Sequence, residues 1–261
     1  MGAESQREPE DYRSRFYGRY VSTHLANLRR YGSDQLARTL RDYERRYGAW
    51  LPRDKEARIL DLACGVGEFV IFCQRRGYRN AAGVDVGREQ LELGRGLGAE
   101  NLVEAEAVGF LRTHPEEFDL IVATDLLEHL TKTEVLELLD GCYGALRPGG
   151  EIWVATPNNQ TVVSLHQYAD FTHETGFTPS SLVQVLRVAG FEDPRVYPKG
   201  PVAIDLRSAI RRVLWAILAL CIRAYLVVSE GSGRGDPRYY RVVTSVMLAR
   251  ARKPCSGATG P

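Results

Sequence analysis

The 261-residue chain is poor in the features that would mark it as secreted, membrane-spanning or nucleic-acid-binding. Its five cysteines (Cys64, Cys73, Cys142, Cys221 and Cys255) form no CxxC pair and no disulfide-like framework, which argues against a disulfide-stapled scaffold. The longest wholly apolar run, Val213 to Ile222, is ten residues and too short to cross a bilayer. The polar start MGAESQREPEDYR carries no cleavable signal, so a reducing cytoplasm is expected. A formal net charge of +1 leaves no global excess to attract nucleic acid.

What is present is an alternation of strand and helix signals, the pattern of a parallel sheet. Strands are expected at 57–62, 80–86, 101–107, 118–124 and 151–156, with two more at 191–198 and 239–251. Ser33 is placed to cap a first helix carrying Leu36, Leu40, Tyr43 and Tyr47 on one face. Thr131 and Glu134 form a capping box, RPGG at 147–150 ends the helix that follows, and Thr178-Pro179 opens another. The implied organisation is a polar start and helical cap over 1–56, a main domain over 57–200, an apolar-basic helical insertion over 201–237, a last strand over 238–253 and a polar tail over 254–261.

The densest motif is ILDLACGVGEFV, followed by GVDV. A strand ends at Asp61, and Gly65 and Gly67 make a tight turn into a helix, where a Cβ would block a ligand from the backbone. Asp85 closes the second strand, placed to accept two hydrogen bonds from a ribose diol. Val70 stands where a dinucleotide fingerprint has glycine or alanine, and Asp61 and Glu68 make the turn acidic. That acidity repels a pyrophosphate and suits a cation.

DLACGVGEF, VDV, FDLIVATDLLEHL and LRPGGEIWVATPN together resemble the class I methyltransferases of the ubiquinone-biosynthesis type, over about residues 57–195. The resemblance implies a Rossmann-like α/β fold: a seven-stranded sheet, mostly parallel, with an antiparallel last strand. It implies S-adenosylmethionine as cofactor, with Asp61, Ala63, Cys64, Gly65 and Gly67 along its methionine and ribose, and Asp85 on the ribose hydroxyls. Val86 would pack beside the adenine, Glu106 and Ala107 would read its edge, and Thr124 and Asp125 would lie near the methionine end. Glu106 departs from the aspartate usual there.

Methyl transfer to an alcohol needs a proton acceptor, and a neutral imidazole suits that role. His129 follows the fourth strand at the ligand-binding edge of the sheet. The long polar connection 157–178 adds His166, Asp170 and His173. His166, Asp170 and His173 lack a recognised metal-ligand spacing, and no metal is expected. HQYADFTHETGFTPSSLVQVLRVAGF also resembles methyltransferases of bacterial polysaccharide and O-antigen pathways, which implies a glycan or glycolipid acceptor. In those relatives the N-terminal segment covers the cofactor, which brings in Tyr17, Tyr20 and His24. A small-molecule or quinone acceptor is the alternative, and a non-catalytic binding subunit a further one. The helix expected over 203–228 leaves three readings open: a buried cap over the acceptor pocket, a homodimer interface, or a membrane-surface helix holding the protein at the inner face of the membrane.

Overall fold

The computed structural model describes residues 32–161, 164–230 and 239–255. Helix α1 (Ser33–Tyr47) leads into β1 (Ile59–Leu62), α2 (Glu68–Arg75), β2 (Ala81–Asp85), α3 (Arg88–Gly96), β3 (Leu102–Glu104) and α4 (Ala107–Arg112). Then follow β4 (Phe118–Thr124), α5 (Lys132–Ala145), β5 (Leu146–Pro157), α6 (Leu165–Tyr168), α7 (Pro179–Val188), β6 (Glu192–Pro198), α8 (Leu206–Glu230) and β7 (Val246–Arg252). The seven strands form one sheet in the order β3-β2-β1-β4-β5-β7-β6. Only β7 runs antiparallel to its neighbours β5 and β6, which is the Rossmann-like arrangement the sequence implied.

The central strands are covered on both faces, so they are apolar throughout rather than alternating. All four residues of β1 are buried, as are the last six of β5. On one face Leu111, Leu138, Leu182 and their neighbours pack from α4, α5 and α7. On the other, Leu36, Tyr47, Phe69 and Leu91 pack from α1, α2 and α3. Trp153 of β5 ties that second layer together: it is 1 % exposed, with the rings of Tyr47 and Trp50 each at 6.0 Å and Phe69 at 6.4 Å.

The capping signals at Thr131 and Thr178 form real boxes, with Glu134 and Ser181 returning the bond. Other boundaries differ from expectation. Gly32, not Ser33, stands at the start of α1 and makes no side-chain cap. The third strand stops at Glu104, because the Glu106 carboxylate caps α4 through Val108 N–H at 2.8 Å and Gly109 N–H at 2.6 Å. The last strand begins at Val246 rather than 239; Tyr239–Arg241 is a 3-10 turn. The insertion helix starts at Leu206, where the Asp205 carboxylate accepts the Ser208 N–H at 2.8 Å. It is not a buried cap: only 11 % of its apolar window is buried.

Removing the Trp153 ring would leave the α1 and α2 aromatics without their shared partner. Trp153→Ala should therefore cost about 3–5 kcal/mol of folding stability, read as a fall in the urea midpoint with an unchanged slope.

Candidate active site

The chain builds β1, β2 and β3 outward in one direction and then returns to place β4 on the other side of β1. That reversal opens a crevice at the carboxyl ends of β1 and β4, the ligand-binding position in open α/β sheets. Both strands leave the sheet through a non-glycine residue in the left-handed region, Ala63 at φ 54° and Asp125 at φ 52°. Such residues cost about 1–2 kcal/mol each and cluster where geometry serves a ligand.

Between β1 and α2, Gly65 (φ +55°) and Gly67 (φ +71°) complete the turn. A Cβ at Gly65 would point into open space, whereas one at Gly67 would come within 3.0 Å of Leu102. Cys64 is packed in the fold, since a Cβ on Gly83 would meet its sulfur at 2.7 Å. Burial, then Asp61 and Asp85, push its thiol far up, so it is no nucleophile. Asp85 accepts Gly65 N–H at 2.8 Å and Gly87 N–H at 2.6 Å, one on each oxygen. Each oxygen keeps a further lone pair, the requirement for holding a diol. Val86 stands beside it, 59 % exposed.

Asp61 is buried, and its Oδ1 has no hydrogen-bond partner among the described residues. Burial and the neighbouring Asp85 push its carboxyl up to about 8. Burial likewise raises Glu68 to about 7. An orphaned buried oxygen, a bare glycine turn and a diol-ready carboxylate fit S-adenosylmethionine, whose ammonium and sulfonium are the cations such a cleft lacks.

Across the crevice, Thr124, Asp125, Tyr43, Tyr47, Phe69 and Lys199 line a cavity of about 40 Å³. A larger one, about 280 Å³, lies at the opposite end of the strands, by Asp119 and Gly149–Glu151, away from these groups. Tyr43 and Lys199 escaped the sequence reading: Tyr43 counted only as a helix-face residue, and Lys199 comes from beyond β6.

The sequence-predicted imidazoles converge in part. His129 and His173 lie with ring centroids 4.6 Å apart, and together with Glu128 they bring ligating atoms within 4.8 Å of one another. Thr172 donates its hydroxyl hydrogen to Asp170 Oδ1 at 2.7 Å, so its lone pair accepts from His129 Nδ1–H at 2.8 Å. His129 Nε2 is thereby left as the unprotonated nitrogen. His173 Nδ1 donates to the Gln167 carbonyl at 2.9 Å. Burial first, then His173, lowers the His129 pKa, keeping that ring neutral. Glu128 is 1 % exposed, accepts from Thr156 Oγ1 at 3.0 Å, and is raised to about 8 by burial and Asp125. His166, on α6, is exposed and outside this group. Tyr17, Tyr20 and His24 lie outside the described residues.

A family described as methyltransferase domain matches residues 29–195. The ubiquinone biosynthesis O-methyltransferase of Saccharophagus degradans is 27 % identical over 161 residues, covering 52 % of this chain and 64 % of the relative. That of Xylella fastidiosa is 30 % identical over 156 residues, covering 51 % and 60 %. The chain thus spans less than two thirds of the length of these curated relatives. A SAM-dependent methyltransferase structure from Archaeoglobus fulgidus shares the fold, with a TM-score of 0.58 at 22 % identity over 82 % of this chain and 94 % of that one.

Asp61 gives a pH signature to the ligand-free protein. A carboxyl raised in the folded state binds its proton more tightly there, so its contribution is full below pH 4 and is lost as pH rises through about 8. Denaturant midpoints of the ligand-free protein should fall between pH 5 and 8, and Asp61→Asn should flatten that fall. An unchanged slope in the variant would remove Asp61 as the cause.

Proposed function

From the premise that the chain belongs to the methyltransferase-domain family, as a class I S-adenosylmethionine-dependent enzyme, we propose that it methylates a hydroxyl oxygen, most directly a sugar hydroxyl on a glycan or glycolipid precursor. The observation that carries the reading is the Asp170–Thr172–His129 chain, which fixes the imidazole with Nε2 free to take a proton. An alcohol holds its proton at neutral pH, so transfer to it calls for a base at this point.

In this reading Asp61, Ala63, Cys64, Gly65 and Gly67 border the methionine and ribose, and Asp85 accepts the ribose hydroxyls on its remaining lone pairs. Val86 covers one side of the adenine. Glu106 and Ala107 meet its edge, Glu106 while holding the start of α4. Thr124 and Asp125 flank the reacting end. When bound, the cofactor supplies a carbon already activated by its sulfonium. The chain's own residues align the acceptor, exclude water and accept the proton.

A phenolic acceptor is the second reading, favoured by the likeness to two ubiquinone biosynthesis O-methyltransferases. A phenol ionises near pH 10, so its methylation leans less on a base. The two readings part on His129.

Asp85→Ala should weaken S-adenosylmethionine binding by about 1.5–3 kcal/mol, the worth of hydrogen bonds to a charged group, as read by calorimetry on the folded variant.

His129→Ala should leave cofactor affinity within a few-fold and lower turnover of a sugar acceptor by about 10²–10⁴. In the parent enzyme the rate should rise with pH on a limb below the ordinary histidine range, because burial lowers this imidazole. Near-normal turnover in His129→Ala, with loss in His173→Ala, would move the base to the loop. Loss of activity on chelation, restored by a divalent cation, would make the imidazole pair with Glu128 a metal centre instead of a base.

A further inference from the structure

We propose that α8 seats the protein in the headgroup layer of an anionic phospholipid bilayer, an inference independent of which acceptor the site takes. The helix touches the body along one side only: Ala219 and Leu226 are buried with Trp215 and Ile222 against Val243. At about 100° per residue these four share one face. On the opposite face Ile210, Val213, Ile217, Leu220 and Val228 are each between 53 % and 84 % exposed. An apolar stripe of this length facing water is what monomeric soluble surfaces avoid.

The charges on α8 choose the occupant. Arg207 and Arg211 lie along one margin of the stripe, Arg212 and Arg223 along the other, and no acidic residue falls between Leu206 and Ser229. A helix lying flat with its stripe in the acyl boundary holds Arg207, Arg211 and Arg212 at phosphate level, while Arg223 is turned to the body. A second copy of the same helix would instead bring cation rows together, with acidic residues only at the helix ends, Asp205 and Glu230. By length and composition alone the helix could cross a bilayer. Its seat prevents that: one side rests on Val243, and Arg223 Nη2 donates to the Arg241 carbonyl at 3.3 Å. The helix therefore lies along the surface.

The test is co-sedimentation of the full chain with vesicles of phosphatidylcholine mixed with phosphatidylglycerol, against phosphatidylcholine alone. The expected result is binding to the anionic vesicles that weakens as salt rises, with each of Arg207→Gln and Arg211→Gln lowering the partition about fivefold. Val213→Glu with Ile217→Glu, on the solvent side of the helix, should abolish binding while leaving S-adenosylmethionine affinity and the melting temperature unchanged. No sedimentation with anionic vesicles at low salt would overturn the proposal. So would a concentration-dependent dimer that the Val213→Glu, Ile217→Glu variant converts to monomer without any vesicle binding.

Discussion

Asp61, next to last in β1, and Asp85, last in β2, lie on adjacent parallel strands paired at Asp61↔Gly83 and Leu62↔Val84, and both are buried at the mouth of the crevice. Two carboxylates so placed repel one another and lose hydration. The fold separates their fates. Asp85 receives two backbone N–H groups, whereas Asp61 receives none at Oδ1 and is driven toward its neutral form by burial and by Asp85. The glycine turn depends on this asymmetry, because the N–H of Gly65 is one of the donors that holds Asp85. A cation arriving at Asp61 relieves a buried carboxylate oxygen that has no partner among the described residues. A pyrophosphate would find two acidic side chains and no compensating cation in the turn.

A second carboxylate, Glu128, organises the region of His129 and His173. Glu128 is locked at the end of β4 by Thr156 from β5, and its carbonyl accepts the N–H groups of Glu174 at 2.7 Å and Thr175 at 3.1 Å. The loop after β5 is thus pinned at its far end to the segment that carries His129. Its near end is fixed by Asn158, whose amide donates to the carbonyls of Val242 and Thr244. Two anchors thus fix the two ends of a long polar connection. Thr172 and Asp170 can then orient an imidazole 43 residues away in the chain.

The sheet was legible because buried parallel strands are apolar runs bounded by turn residues, and the cofactor turn because Gly65, Gly67 and Asp85 sit at fixed offsets from strand ends. Capping boxes are local, so Thr131 and Thr178 could be read directly. The third strand was overestimated because Glu106 looks like a strand residue until its carboxylate is seen taking the N–H groups of α4. Tyr43, Lys199 and Thr172 were missed as site residues for a different reason. Their relevance arises from elements distant in sequence meeting at one crevice, and no spacing encodes that meeting. The pairing of His129 with His173 belongs to the same class, and only the first had a position in the motif to recommend it.

The seat of α8 and the site are not separable parts. Arg241 to Thr244 support the helix through Val243 and Arg223, and the same segment receives the buried Asn158 amide. Gln160 adds a bond to the Tyr239 carbonyl at 2.9 Å. Leaving a buried polar group unpaired costs about 1–3 kcal/mol, so shifting this segment alone would sacrifice several such terms at once. The cheaper motion carries the segment, Asn158 and the start of the His173 loop together. The support of α8 and the near anchor of the His173 loop therefore belong to one hydrogen-bonded segment.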